Sequence, residues 1–174
     1  KSDIFDVMYY AQQCITDVVI PSSIKVIMSD TFQKSKNIRS IKFEANSELE
    51  KIETNAFSEV YISKFSIPQH LKIINDMAFY CCTNLEYFKI PENSELRTIG
   101  AYAFYSTKIK ELFIPNNLNE LKKGWCWRVL YLTKIKVSPL NKNFIFKDDK
   151  FLLGKTDPKS DNFDVLYFAR RDIT

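Results

Sequence analysis

The sequence predicts a repeat solenoid followed by a small β-meander. Three observations predict it. The apolar residues that open successive units, Ile15, Ile38, Ile62, Leu85, Ile109 and Leu132, are spaced 23, 24, 23, 24 and 23 residues apart. Each unit repeats the same two apolar clusters followed by an aromatic. The period is lost after Val137, where short alternating runs bounded by Asp, Gly and Pro take over. A unit of this size cannot enclose its own core, so it buries its apolar face by stacking on its neighbours.

Each unit opens on apolar-x-x-apolar-x-apolar: Ile15/Val18/Ile20, Ile38/Ile41/Phe43, Ile62/Phe65/Ile67, Leu85/Phe88/Ile90, Ile109/Leu112/Ile114 and Leu132/Ile135/Val137. The last two positions alternate as a half-buried strand does. Pro21, Pro68, Pro91 and Pro115 follow and mark the strand's end, since proline has no N–H for a ladder. A second pair comes next, Ile24/Ile27, Leu49/Ile52, Leu71/Ile74, Leu96/Ile99 and Leu118/Leu121. Five residues on stand Phe32, Phe57, Phe79 and Phe104, three of them preceded by Ala56, Ala78 and Ala103. The fifth unit puts Cys126 in the Phe slot between Trp125 and Trp127, and one tryptophan is expected to take that slot over.

The 23/24 alternation has a source. The link between the two clusters is two residues longer in units two and four (Phe43 to Leu49, Ile90 to Leu96), and both long links contain Asn-Ser-Glu-Leu. The deeper repeat is therefore a 47-residue pair, as duplication of a two-unit block would leave.

Leu71, Ile74, Ala78, Phe79 and Cys82, followed by Leu85, Phe88, Ile90 and Pro91, resemble the unit of the BspA-like leucine-rich repeat surface antigens. The resemblance runs from about Ile15 to Val137. It implies a curved solenoid with a parallel β-sheet on the concave face and short helical or irregular convex turns around each Ala-Phe pair.

The two ends match. Residues 1–16 and 159–174 are identical at ten of sixteen positions, at an offset of 158, and Met8/Leu166 and Tyr10/Phe168 are near-equivalents. The expectation is a segment of a longer protein with a superrepeat near 158 residues. Residues 1–14, with a strand over 3–11, read as the end of a preceding meander insertion, 15–137 as the repeats, and 138–174 as the next insertion. Within the latter, Asn143–Phe146, a turn at Asp148-Asp149, Lys150–Leu153 and Phe163–Ala169 read as antiparallel strands.

Composition excludes several classes. A net charge of +4 with no arginine-rich or aromatic-interleaved basic motif gives no nucleic-acid signature. No run of 18 apolar residues spans a membrane in this segment. Cys14, Cys81, Cys82 and Cys126 lack metal-ligand spacing and read as free thiols, Cys82 facing the core. His70, the only histidine, has no nucleophile beside it within one repeat and reads as a surface residue. Asp148, Asp149, Asp157, Asp161 and Asp164 lack the alternate-position spacing of a calcium loop and read as turn formers. No catalytic residue, metal or cofactor is predicted.

The family fold turns the x positions of each strand out of the concave sheet. One column is then Asp17, Ser40, Lys64, Tyr87, Glu111 and Lys134, and the other Val19, Lys42, Ser66, Lys89, Phe113 and Lys136. From these, Lys42, Lys64, Ser66, Tyr87, Lys89, Glu111, Phe113, Lys134 and Lys136 are the candidate partner-binding residues. Tyr87 and Phe113, read as exposed, supply the aromatic anchors of a docking face, and the lysines favour a mildly acidic partner. The resemblance implies a non-catalytic adhesion or protein-binding module at the cell surface, with a host or matrix protein as partner. The alternative is a cytoplasmic scaffold built by end-to-end self-association, which the matching ends and unpaired cysteines also fit.

Overall fold

The computed structural model describes residues 15–171 and the backbone of one two-residue strand before them. Each coil of a β-solenoid supplies one longer and one shorter strand. Numbered in chain order, the longer strands are β2 (Asp17–Ile20), β4 (Ser40–Phe43), β6 (Lys64–Ser66), β8 (Tyr87–Lys89), β10 (Glu111–Ile114) and β12 (Lys134–Val137). The shorter ones are β1 (Val7–Met8), β3 (Val26–Ile27), β5 (Lys51–Ile52), β7 (Ile73–Ile74), β9 (Thr98–Ile99) and β11 (Glu120–Leu121). After them, β13 (Phe144–Lys147), β14 (Phe151–Gly154) and β15 (Val165–Ala169) form an antiparallel three-stranded sheet.

The short strands make one parallel sheet in the order β1-β3-β5-β7-β9-β11. Its register runs Met8, Ile27, Ile52, Ile74, Ile99, Leu121, and from Ile27 on these are the second member of each unit's second apolar pair. The residues from Ile27 to Leu121 in that column are buried, so repetition of one residue type at one register builds a continuous core wall. The sequence expectation gives residues 3–11 to the end of a preceding meander. The described part of that stretch, Val7–Met8, instead pairs in parallel with β3 as the first strand of the solenoid's sheet. The rest of 1–14 lies outside the described residues.

Between β3 and its successors the chain turns without a helix among the described residues, which decides the convex side in favour of irregular turns. Two residues in each turn are left-handed, two before and two after the Phe slot: Asp30/Lys34, Asn55/Glu59, Met77/Cys81, Tyr102/Ser106 and Gly124/Arg128. Only one of the ten is glycine. The left-handed conformation costs an L residue about 1–2 kcal/mol, and here the neighbouring coil supplies the compensation. Asp30, Phe32 and Lys34 donate their N–H groups to the carbonyls of Thr54, Ala56 and Ser58 one coil on, and the next coils repeat the pattern.

Inside, the aromatic slot forms a stacked column. Ring centroids of Phe32–Phe57, Phe57–Phe79 and Phe79–Phe104 lie 5.0, 5.2 and 5.7 Å apart, with planes within 17°. Phe65 and Phe88 from the long strands meet this column edge-on, at 4.7 to 5.1 Å. Each such pair adds about 0.5–1.5 kcal/mol beyond burial.

Unit five keeps the backbone register and exchanges the filling. Phe104 donates to the Trp125 carbonyl as Phe32, Phe57 and Phe79 donate to Ala56, Ala78 and Ala103. Trp125 therefore stands in the alanine slot and Cys126 in the Phe slot. Both are buried, while Trp127 is 54% exposed. A small–large pair has become a large–small pair.

The stack stops at Asn141. It stands where Leu118 would recur, and it is buried. Its amide donates to the carbonyls of Pro115 and Leu118 at 2.6 and 3.0 Å, and its Oδ1 accepts from the backbones of Asn143 and Phe144. The chain then leaves into β13 and turns through Asp148, Asp149 and Lys150; both aspartates are left-handed (φ 54°), and Lys150 donates its N–H to the Lys147 carbonyl at 3.0 Å. At Gly154 a Cβ would come within 2.5 Å of the Tyr167 ring, which packs edge-on against Phe144.

Candidate functional site

The long strands carry the first apolar cluster inward and turn their other positions outward. β6 and β8 show the alternation exposed-buried-exposed around Phe65 and Phe88. The candidate residues all lie on this face: Lys42 on β4, Lys64 and Ser66 on β6, Tyr87 and Lys89 on β8, Glu111 and Phe113 on β10, Lys134 and Lys136 on β12.

They do not form two unbroken columns. Hydrogen-bonded ladders join β2 to β4, β6 to β8 and β10 to β12, and stop in between. Lys64 is in register with Tyr87, Ser66 with Lys89, Glu111 with Lys134 and Phe113 with Lys136. Each break follows a strand whose onward link is two residues longer. In those links Ser47 and Ser94 are buried, and their hydroxyls accept from the N–H of Leu49 and Leu96 in a local turn. A two-residue insertion cannot keep every ladder donor opposite its acceptor, so the 47-residue period of the sequence reappears as two seams.

Both seams are clefts. The β4/β6 cleft has a volume of about 740 Å³ and is lined by Arg39, Lys42, Lys64 and His70, with Glu44 its only acid. Glu44 is already engaged, accepting the Ser22 N–H at 2.8 Å. The β8/β10 cleft, about 330 Å³, is lined by Tyr87, Lys89, Lys110, Glu86, Glu111 and Phe113 among others.

Charge divides the face. Lys134 and Lys136 both reach Glu111, at 3.2 and 3.5 Å, and hold its carboxyl below the usual range. Lys110 lies 2.7 Å from Glu86; hydrogen bonding and charge lower the carboxyl and raise the ammonium. Lys42, Lys64 and Lys89 have no carboxylate partner among the described residues. The lysines of this face without a carboxylate partner are thus on β4, β6 and β8.

Of the two aromatics, Tyr87 is 55% exposed, with Lys64 and Lys110 at 5.4 and 5.8 Å from its ring centre. Phe113 departs from the expectation: it is half-buried and packs against the core. It still lines the β8/β10 cleft, across from Tyr87's strand.

Sequence reasoning missed two features. Lys110 precedes its strand, outside the pattern positions, yet completes the cradle around Tyr87. On the opposite side Tyr80, Tyr105 and Trp127, each one residue after the aromatic slot, form an outer column; Tyr80 and Tyr105 stack at 4.6 Å, and Trp127 meets Tyr105 edge-on at 6.0 Å. That constant offset was the signal available in the sequence.

His70 sits at the rim, 2.8 Å from Glu95. The Cys82 thiol is buried, donates to the Phe57 carbonyl at 3.0 Å, and is pushed up to about 12 by loss of water. A thiol so protonated is a poor nucleophile. Asp164 accepts the Thr156 N–H, and Asp149 pairs with Arg170, so both serve the meander's own loops.

The family model for the BspA type leucine rich repeat region matches residues 2–128, in six copies. Among solved structures, the pneumococcal vaccine antigen PcpA is similar over 86% of this chain and 38% of its own, with 27% identity and a TM-score of 0.75. A leucine-rich repeat protein of Eubacterium ventriosum is similar over 81% of this chain and 36% of its own (23% identity, TM-score 0.70). A leucine rich cell surface protein of Faecalibacterium prausnitzii is similar over 82% and 43% (20% identity, TM-score 0.60). The chain spans well under half the length of these three proteins. No curated protein matches it in sequence.

Proposed function

We propose, because the chain belongs to the BspA type leucine rich repeat family, that it is a protein-interaction module whose partner docks on the long-strand face. The observation that carries this is Tyr87: a tyrosine more than half exposed, between two lysines, beside a cleft and next to uncompensated Lys64 and Lys89. An exposed aromatic anchor with Lys64 and Lys89, which have no carboxylate partner among the described residues, beside it fits a partner with an apolar side chain flanked by carboxylates. The role is adhesive, at the cell surface. The vaccine-antigen and cell-surface neighbours support that location.

Two measurements test it. Antibody labelling of intact cells, lost on protease shaving, is expected; signal only after permeabilisation overturns the surface location. The purified chain is then titrated onto immobilised matrix proteins at low and high salt. Tyr87→Ala with Lys64→Glu is expected to weaken binding at least tenfold and to flatten its salt dependence. Unchanged affinity moves the docking surface off this face.

A further inference from the structure

We infer that β15 is a strand shared between consecutive copies of this chain. Its free edge takes the β3 edge of the next copy in parallel, while its other edge stays paired with β14. This inference stands independently of the proposed docking face.

Four observations carry it. First, residues 159–174 repeat residues 1–16, with Val165 matching Val7 and Leu166 matching Met8. Second, the two copies of this segment pair differently. Val7–Met8 lie parallel to Val26–Ile27 at the start of the solenoid sheet, whereas Val165 and Leu166 lie antiparallel to Gly154 and Leu153. One pairing uses a partner that follows the segment in sequence, the other a partner that precedes it. A strand has two edges, so one segment can hold both, and mixed sheets of this kind are common.

Third, β15 is an edge strand, in the order β13-β14-β15, so one row of its backbone groups is unpaired in the sheet. Fourth, Leu166 is 58% exposed, although the register Met8↔Ile27 assigns it to the column whose later members, Ile27 through Leu121, are at most 5% exposed. A side chain of the core type is waiting outside a core. Among the described residues, six of the eleven exposed large hydrophobics fall at or after Trp127, including Leu130 (64%) and Leu140 (73%). A solenoid end that faced only water would be capped by polar residues. This one presents an apolar end, which a second copy's first coil covers.

The result is one sheet running β13-β14-β15 and on into the next copy's β3, β5, β7, β9 and β11. Blocks joined this way are stiff, because no free linker separates them, and their long-strand faces keep a fixed spacing.

The test is a tandem chain in which residues 1–174 continue directly into 17–174 of a second copy, compared with the single chain in urea. The expected result is one unfolding transition with a midpoint above that of the single chain. Leu166→Asp at the junction is expected to split it in two, and to leave the single chain's midpoint unmoved. Leu166→Met, the residue found at position 8, is expected to keep the single transition. A Val165→Cys with Val26→Cys of the following copy is expected to form a disulfide on mild oxidation, located by peptide mapping. Two transitions in the unsubstituted tandem, an equal effect of Leu166→Asp on both chains, or no cross-link overturns the inference.

Discussion

The coils around Phe57 and Phe79 and the coil at Trp125-Cys126 share one backbone register and fill it in opposite ways. In the former, alanine leaves room for a phenyl ring that stacks on rings above and below. In the latter the ring column ends. Trp125 enters from the alanine slot, and its buried indole N–H finds no hydrogen-bond partner among the described residues. The difference teaches that the backbone ladder is tolerant and the volume is not: each pair of slots must sum to one large and one small side chain. It also separates interior coils, where neighbours satisfy each other by repetition, from the last coil, where the Asn141 side chain stands at the Leu118 position of the repeat and bonds the carbonyls of Pro115 and Leu118.

The most damaging way to probe that contrast is at the centre of the column. Phe79→Ala removes a fully buried ring touching four others, and a loss of about 3–5 kcal/mol is expected from urea unfolding. A loss under 1 kcal/mol would show that the coils close over the gap.

At the end of the stack, Asn141→Leu restores the residue type of Leu118 but removes the amide donated to the Pro115 and Leu118 carbonyls and the oxygen that accepts the Asn143 and Phe144 N–H groups. A loss of roughly 2 kcal/mol is expected. Amide exchange should accelerate first at Asn143 and Phe144, before the interior coils. Uniform acceleration would mean that the end is no weaker than the middle.

The volume rule predicts coupling. Trp125→Ala and Cys126→Phe each destabilise alone, one by a cavity and one by overpacking. The double variant recreates Ala-Phe, and about 1–2 kcal/mol of the summed loss should be recovered in a double-mutant cycle. Strict additivity would break the comparison between the two coils.

The smallest effect belongs to charge. Glu111, lowered by Lys134 and Lys136, contributes stability above the usual carboxylate range and loses it as pH falls through its lowered value. Because the pair is about half exposed, acid denaturation of Glu111→Gln should track the parent within a few tenths of a kcal/mol. The difference should appear only on the neutral side of that titration.

Much of this was legible in the chain itself. The period, the two apolar clusters and the Ala-Phe pair indicated the solenoid, its long strands and its core, because in a stack every buried position recurs at the same offset; that the second cluster pairs into a six-stranded sheet of its own was decided by the fold. The long links at Asn46–Leu49 and Asn93–Leu96 announced a 47-residue unit. That this unit splits the outer sheet into three ladders was decided only in three dimensions, since it depends on whether donors in adjacent coils still face acceptors. The same holds for the site. Alternation placed Tyr87 and Phe113 on one face, but only packing folded Phe113 toward the core and brought Lys110 over Tyr87. Sequence identity showed that residues 1–16 and 159–174 are one element. Pairing then placed Val7–Met8 in the solenoid and Val165–Ala169 in the meander, because an edge strand takes whichever neighbour the surrounding chain delivers to it.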